Sequence, residues 1–450
     1  MYIVVVGMGQ VGRHVVRTLE WEKHDVVAID VDPAALRYVE SHHDVATLLG
    51  YGASQEVLEN AKVSEADLLV AVTDHDEVNL IAALAAKQMG TKRVIARVQG
   101  PEWTGNSDRV EGVSYGLLGV DVVFNPRILL AQEVAKIAQS HGALEVVDIA
   151  NDQIEVVQME IGENHRVTHH TLTKLPLPDQ VLVGAVVREG ELFVPGGADV
   201  LLPGDRIYLL GLPEQLVEAE DLFSHSKEAR SVTIVGGGVI GEALARELVK
   251  IGAVVRLLER DADRATELGG LLAGVTVLVG DGTDMELLTD EGLTECDLFV
   301  AVTRADEANL MACLLAKRAG AQRTCSLVHR QDYVEIYRQL GIDVVLSART
   351  VASDHILRYC RQTRLQTLMV LEDGAAEVLE ILAPAEARIV GVPMRRLTLP
   401  RGALVVAILK GDRVVIPHGD DVVEVGDHVV VLCISSARPA IARLFKERAL

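Results

Sequence analysis

Alternating strand and helix patterns, a glycine signature that occurs twice, and turn-punctuated β-branched stretches after each copy predict an α/β chain. The expected architecture is two doubly wound parallel-sheet domains, each followed by a small β-rich α+β module. Tyr2–Val6 is a short, continuous apolar run, as in a strand buried on both faces. A helix over Val11–Trp21 follows directly, then a strand over Val26–Asp30. Asp32-Pro33 opens the next helix, proline being favoured in a first turn. Leu68–Thr73 reads as a strand, Glu77–Met89 as a helix and Arg93–Val98 as a strand. Right-handed crossovers turn that alternation into a parallel sheet. Asn125-Pro126 starts one more helix, from Arg127 to about Ser140. Its apolar residues Ile128, Leu129, Ala131, Ala135 and Ile137 call for a packing partner, either a neighbouring module or its own sheet.

The duplication is legible directly. Gly7-Met8-Gly9-Gln10-Val11-Gly12 recurs as Gly236-Gly237-Gly238-Val239-Ile240-Gly241, and Asp30 recurs as Glu259. Residues 66–87 (ADLLVAVTDHDEVNLIAALAAK) match residues 296–317 (CDLFVAVTRADEANLMACLLAK) without a gap, and most positions are identical. Leu177-Pro178, Gly204-Asp205 and Leu222-Phe223 reappear as Leu399-Pro400, Gly426-Asp427 and Leu444-Phe445.

The second part of each half is extended and β-branched, over Ala143–Val157 and Leu365–Leu382. Strand-like runs follow at Val181–Val187, Glu191–Pro195 and Arg206–Leu210, and a helix at Glu214–Phe223. Gly204-Asp205 and Gly426-Asp427 look like hairpin turns. Glu220–Arg230, which is polar, links the halves. The chain thus divides into residues 1–140, 141–225, 230–362 and 363–450.

Composition narrows the function. The 450 residues suit about two to four domains. Lys and Arg number 43 against 65 Asp and Glu, a net charge of −22. Phosphate backbones and anionic lipids repel such a chain, and aromatics at 3% leave few rings to stack bases. A general nucleic-acid binder is excluded. The longest apolar runs, Ala403–Leu409 and Val181–Val187, are far short of a membrane span. Met1–Gly7 enters a strand at once and has no secretory pattern. The five cysteines contain no CxxC pair, which fits reduced thiols and argues against a zinc site.

Each glycine signature ends a predicted strand and opens a predicted helix, as in Rossmann-like nucleotide-binding domains. There the first glycine makes the tight turn, the second admits a pyrophosphate and the third lets helix and strand pack. The exposed amides and the helix dipole then face the anion. Asp30 and Glu259 end the second strand of each copy, where a carboxylate accepts from a ribose diol. A 2′-phosphate is disfavoured at Asp30; Arg260 weakens that exclusion in the second copy. Gly50-Tyr51-Gly52-Ala53-Ser54 and Gly280-Asp281-Gly282-Thr283 fall where a base would sit, with simple turns as the alternative. Thr73-Asp74 and Thr303-Arg304 end the strand at the topological switch point. Arg97 reads as a bidentate phosphate partner, with an ion pair as the alternative; Leu327 stands at the matching position. The two sites should therefore differ in affinity or ligand.

Nothing reads as catalytic. His14, His24, His42, His43, His75 and the pair His169-His170 are scattered, without metal-ligand spacing. Asp76-Glu77, repeated as Asp306-Glu307, is the ordinary first-turn preference of a helix.

These motifs resemble the RCK (KTN) regulators of bacterial Trk-type potassium uptake, the TrkA family. The resemblance rests on GMGQVG with Asp30, VAVTDHDE with Arg97, GGGVIG with Glu259, VAVTRADEANLM and the two β modules, and it spans essentially the whole chain. It implies a cytosolic, non-catalytic subunit with RCK C-terminal modules, peripheral at the inner membrane face. Such a subunit gates a separate integral membrane potassium transporter and assembles as a homo-oligomeric dimer or tetramer ring. The implied ligands are NAD(H) and adenine nucleotides (ATP/ADP). The implied binding residues are Gly7, Met8, Gly9, Gln10, Val11, Gly12, Asp30, Thr73, Asp74 and Arg97. In the second copy they are Gly236, Gly237, Gly238, Val239, Ile240, Gly241, Glu259 and Thr303. Pro126-Arg127 departs from relatives with an acid after proline, so no metal site is expected there. The alternative reading is an NAD-dependent oxidoreductase with tandem Rossmann domains, against which stands the missing substrate domain. A purely structural scaffold is a third.

Overall fold

The computed structural model describes residues 1–21, 23–104, 112–150, 153–162, 167–168, 170–224, 229–330, 332–360, 365–411 and 413–445. His169 and residues 225–228 of the linker lie outside them. By compactness the chain forms two units. One is Met1–Ala135 with Arg230–Cys360; the other is Lys136–Ala229 with Arg361–Leu450.

In the first unit the leading copy runs β1 (Tyr2–Val6), α1 (Gln10–Trp21), β2 (Asp25–Asp30), α2 (Pro33–His42), β3 (Ala46–Leu49), α3 (Gln55–Asn60), β4 (Leu68–Ala71), α4 (Asp76–Met89), β5 (Arg93–Arg97), β6 (Val113–Tyr115), β7 (Val122–Phe124) and α5 (Pro126–Gln139). The sheet order is β3-β2-β1-β4-β5-β7-β6, so the order reverses between β1 and β4. All pairings are parallel except that of β6 with β7. Alternation decides the faces. Ile3, Val5, Leu68, Val70 and Ile95 face α1 and α2, while Val4, Val6, Leu69, Ala71 and Val94 face α3 and α4.

The module that follows contains β8 (Glu145–Ile149), β9 (Ile154–Glu160), β10 (Val181–Arg188), β11 (Glu191–Phe193), β12 (Arg206–Gly211) and α6 (Pro213–Phe223). The second copy repeats the first as β13 (Ser231–Val235), α7 (Val239–Lys250), β14 (Val254–Glu259), α8 (Ala262–Leu271), β15 (Val275–Val279), α9 (Met285–Asp290), β16 (Leu298–Ala301), α10 (Asp306–Ala319), β17 (Arg323–Leu327), α11 (Tyr333–Gln339), β18 (Val344–Leu346) and α12 (Ala348–Cys360). Its sheet, β15-β14-β13-β16-β17-β18, is parallel throughout. In the second copy the helix after the last strand, α12, packs on the first copy. Ala352, Ile356 and Leu357 of α12 join the core formed by Val11, Val15 and Leu19 of α1. The His355 ring lies 4.9 Å from that of Phe124, and the Tyr359 and Tyr115 hydroxyls are 3.3 Å apart.

The second unit holds both β modules, the last being β19 (Leu365–Leu371), β20 (Ala376–Leu382), β21 (Ala403–Lys410), β22 (Arg413–Val415), β23 (His428–Ile434) and α13 (Arg438–Leu444). Their antiparallel sheets, β11-β10-β12-β9-β8 and β19-β20-β23-β21-β22, share one core in which Val156, Tyr208 and Leu210 pack with Met369, Val378 and Leu432. The Gly-Asp turns do not close hairpins, contrary to expectation. β12 lies between β10 and β9, and β11 pairs only with β10. Asp205 is buried instead, accepting two hydrogen bonds from Arg188 and one from the Leu202 amide.

Candidate functional site

The loop between β1 and α1 divides the labour among its glycines. Gly7 has φ +99°, and an added Cβ would lie 2.7 Å from the Thr73 amide nitrogen. Gly12 lies so close to the Gly7 carbonyl that a Cβ there would sit 1.8 Å from its oxygen. A Cβ on Gly9 would meet nothing within 4 Å, which leaves open space for an anion. Gly236, Gly241 and Gly238 repeat the three roles, with φ +107°, a 1.9 Å approach and open space.

The acids at the ends of β2 and β14 brace these loops. Asp30 accepts from the Met8 amide at 2.5 Å and the Asp32 amide at 2.8 Å. Glu259 accepts from the Gly237 and Asp261 amides at 2.6 and 2.9 Å. A carboxylate has about four lone-pair sites, so capacity remains for a ribose hydroxyl.

A crevice of about 310 Å³ opens above the first loop. Gly7, Met8, Gly9, Asp30, Thr73 and Asp74, all named from the sequence, line it. Gly50, Tyr51 and Gly52 line it too, while Gly50 also packs against Val57 and Gly52 against Val6. Gln10, Val11 and Gly12 lie in the first turn of α1, outside the lining, and Val11 is core. Arg97 is also outside the lining. Its guanidinium is mostly buried, 3.6 Å from the exposed Asp74 carboxylate. Burial lowers its pKa, Asp74 raises it and Arg127 lowers it further, and it stays a cation. The pair is loose enough for a phosphate to compete for the guanidinium.

Three features escape sequence reasoning. Arg13 lines the crevice, its Nε donating to the Met8 carbonyl at 2.8 Å and its guanidinium 4.5 Å from the Tyr38 ring centre. In the second copy Arg264 of α8 holds the equivalent Gly237 carbonyl at 2.9 Å, and it pairs with Glu242 and Glu267. Asn79 is fully buried. Its Oδ1 accepts from the Thr73 amide and hydroxyl at 2.8 and 2.7 Å, and its Nδ2 donates to the Thr73 and Arg97 carbonyls at 2.9 and 2.8 Å. Asn309 fixes Thr303 and the Leu327 carbonyl in the same way. The signal was present: both asparagines stand in the repeated DEVNL and DEANL blocks. Asp76 and Asp306 do more than complement a helix dipole. They accept from the Gln99 and Gly100 amides, and from the His329 and Arg330 amides, fixing the loops after β5 and β17.

The described thiols are inert: burial pushes Cys296 up to about 11 and Cys325 to about 12. Among the described residues no cluster of acids, histidines and cysteines could hold a metal, and no helix is long and apolar enough to cross a membrane.

The TrkA-N domain family matches residues 3–126 and 232–348, and the TrkA-C domain family matches 156–224 and 378–446. A Trk system potassium uptake protein TrkA homolog of Archaeoglobus fulgidus is 36% identical over 431 residues, covering 96% of this chain and 97% of that one. The Trk system potassium uptake protein TrkA of Azorhizobium caulinodans is 31% identical, covering 99% of each. Among solved structures, the RCK domain of GsuK superposes with a TM-score of 0.61 at 19% identity, covering 99% of this chain and 94% of that one. The GsuK channel bound to NAD gives the same TM-score, covering 99% of this chain and 78% of that one. At such identity the likeness speaks for the fold. Two glycine loops, each braced by the acid that ends the next strand and each followed by a β module, agree with the domain matches, and the chain belongs to the TrkA family.

Proposed function

We propose that this chain is a nucleotide-binding regulatory subunit that controls potassium flux through a separate membrane transporter. The observation that carries the reading is the first crevice. An anion-ready loop and a ribose-ready carboxylate converge there, and Arg97, loosely paired with Asp74 of the lining, lies just outside. NAD(H) and adenine nucleotides fit: pyrophosphate at the amides of Gly7–Gly9, ribose at Asp30 and base beside Tyr51. Gly236–Gly241, Glu259 and Thr303 form the second site. The TrkA names and the NAD-bound channel of like fold support this assignment. The family is regulatory and non-enzymatic. A cytoplasmic homo-oligomer docked on its transporter at the membrane's inner face completes the proposal, since no helix among the described residues spans a membrane.

Ligand shifts such an assembly only through differential affinity for its conformations. Bound phosphate would draw Arg97 away from Asp74 toward the loop. Arg97→Ala is expected to reduce nucleotide control of flux in the reconstituted complex while the fold and partner binding persist. A wild-type nucleotide response from that variant would refute this account of gating.

A further inference from the structure

The last β module holds a cavity that the nucleotide crevice does not involve. It measures about 260 Å³ and lies between the β21–β22 hairpin and the chain that leads into β23. Ile408, Val415 and Val422 give it an apolar floor; Ile408 is fully buried and both valines are half-buried. The charged lining divides into paired and single ions. Lys410 is neutralised, its Nζ lying 2.6 Å from Glu424 and 3.6 Å from Asp427. Asp420 is held by Arg395 at 2.6 Å. Arg413 and Asp421 remain. Both line the cavity, yet among the described residues neither has an ion pair, with the other or with any third group. The Asp421 carboxylate accepts from the His418 amide at 2.7 Å, which fixes it in its turn and leaves lone pairs free.

The first module fills the same place differently. Strand register makes the match: Arg188 faces Glu191 and Val186 faces Phe193, as Lys410 faces Arg413 and Ile408 faces Val415. In the first module the Arg188 guanidinium forks onto Asp205 at 2.8 and 2.7 Å and lies 5.5 Å from the Phe193 ring centre. The second module has a slimmer lysine and a valine without a ring, which leaves space. Asp199, which accepts from the Gly196 amide at 2.7 Å, matches Asp421, so the acid is common to both turns. What differs is the cation, since Glu191 is replaced by Arg413. That exchange sets Lys410 and Arg413 directly opposite each other on adjacent strands, an arrangement that destabilises a sheet. A carboxylate seated beside Arg413 removes the cost.

We propose that this cavity binds a small free α-amino acid, its carboxylate on Arg413, its ammonium on Asp421 and its side chain on the apolar floor. A lone cation and a lone anion on the wall of one cavity match a zwitterion. A simple anion would leave Asp421 without a partner, and a simple cation would leave Arg413. The guanidinium fork suits a carboxylate, and an ammonium brings three donors to the aspartate. Drug-sized ligands take pockets of about 300–1,000 Å³, so this smaller cavity suits a ligand of few heavy atoms. The first module presents two acids, Glu191 and Asp199, and is not expected to bind the same ligand. The inference goes beyond nucleotide binding and does not depend on it.

Calorimetry on the full chain tests this with glycine, L-alanine and L-valine as probes. Isovalerate and isobutylamine, which are valine without its ammonium and without its carboxylate, serve as controls. Each amino acid is expected to bind one site per chain, L-valine most tightly because it covers the apolar floor. Both controls should bind at least tenfold more weakly than L-valine. Arg413→Glu, which installs the first module's charge, is expected to weaken L-valine at least tenfold, and Arg413→Lys less. Asp421→Asn, which keeps an acceptor for the His418 amide, should also weaken it at least tenfold. Arg413 is exposed, and an unchanged melting temperature checks that each variant is folded. Absence of binding by all three amino acids, equal affinity for isovalerate and L-valine, or unchanged L-valine affinity in Arg413→Glu overturns the proposal. NAD⁺ titrated into the same proteins tests the nucleotide reading separately, so the two failures are distinguishable.

Discussion

Gly12→Ala and Gly9→Ala separate packing from ligand approach at a distance of three residues. At Gly12 the added methyl would sit 1.8 Å from the Gly7 carbonyl oxygen, where ordinary contact begins near 3.4 Å. Backbone must therefore move by 3.4 − 1.8 = 1.6 Å, and Gly7, held at φ +99° against Thr73, is poorly able to give way. Overpacking of this kind costs roughly 1–3 kcal/mol, equivalent to a loss of roughly 2–12 °C in Tm for a unit of this size. At Gly9 nothing lies within 4 Å, so the cost is limited to the weaker preference for alanine at a helix N-cap, about 1 kcal/mol or less. That open space is where the pyrophosphate approaches, so Gly9→Ala should weaken NAD⁺ at least tenfold in calorimetry. Thermal unfolding by circular dichroism measures the other arm. Equal melting temperatures for the two variants, or full NAD⁺ affinity in Gly9→Ala, would refute the division of roles.

Asp30→Ala should weaken NAD⁺ by roughly 1.5–3 kcal/mol through loss of a charged acceptor, a larger loss than Glu259→Ala causes in total binding; site-resolved calorimetry checks the asymmetry. Burial raises the Glu155 carboxyl to about 7, Lys136 of α5 opposing and Glu220 of α6 reinforcing the rise. The native state thus holds this proton more tightly than the unfolded chain. Stability should fall as pH rises from the ordinary carboxylate range through about 7, and Glu155→Gln should flatten that slope in denaturant titrations. Glu377, the counterpart in the second module, is buried and pairs with Arg438 at 2.7 Å. Arg438→Leu should cost about 2–3 kcal/mol in urea unfolding, the upper range being reduced because the arginine is partly exposed, and Glu377→Gln should recover part of the loss.

The parallel sheets, the duplication and the loop glycines were legible because each has a local signature: apolar period, repeat, and turn chemistry. What escaped is tertiary. Nothing near Arg13 in sequence shows that its side chain turns back onto Met8, or that Tyr38 of the next helix lies beneath it. Asn79 reads as a helix residue, and only the fold reveals that it joins the ends of two strands. The Gly-Asp turns were recognised as turns, but which strands they join depends on long-range pairing, and β9 precedes them by more than forty residues. The pairing of the modules into two units is likewise invisible to any window of local sequence.

Duplication explains which positions could diverge. Gly7 and Gly236 and Gly12 and Gly241 press against backbone atoms, and Asn79 and Asn309 hydrogen-bond backbone groups, so replacement would disturb the fold itself. Val31, Tyr51 and Asp74 line the open first crevice, where packing imposes little, and Arg260, Asp281 and Arg304 stand at the matching, exposed positions of the second copy. Substitution there costs little in stability, and the ligand alone discriminates among outcomes. Drift at such positions would scatter charge without pattern in an acidic chain. Instead Arg13 gives way to Glu242 while Ala35 gives way to Arg264, and the cation on the loop carbonyl is retained from the opposite wall. A loop that keeps its cation through two compensating changes is one whose carbonyl needs that charge.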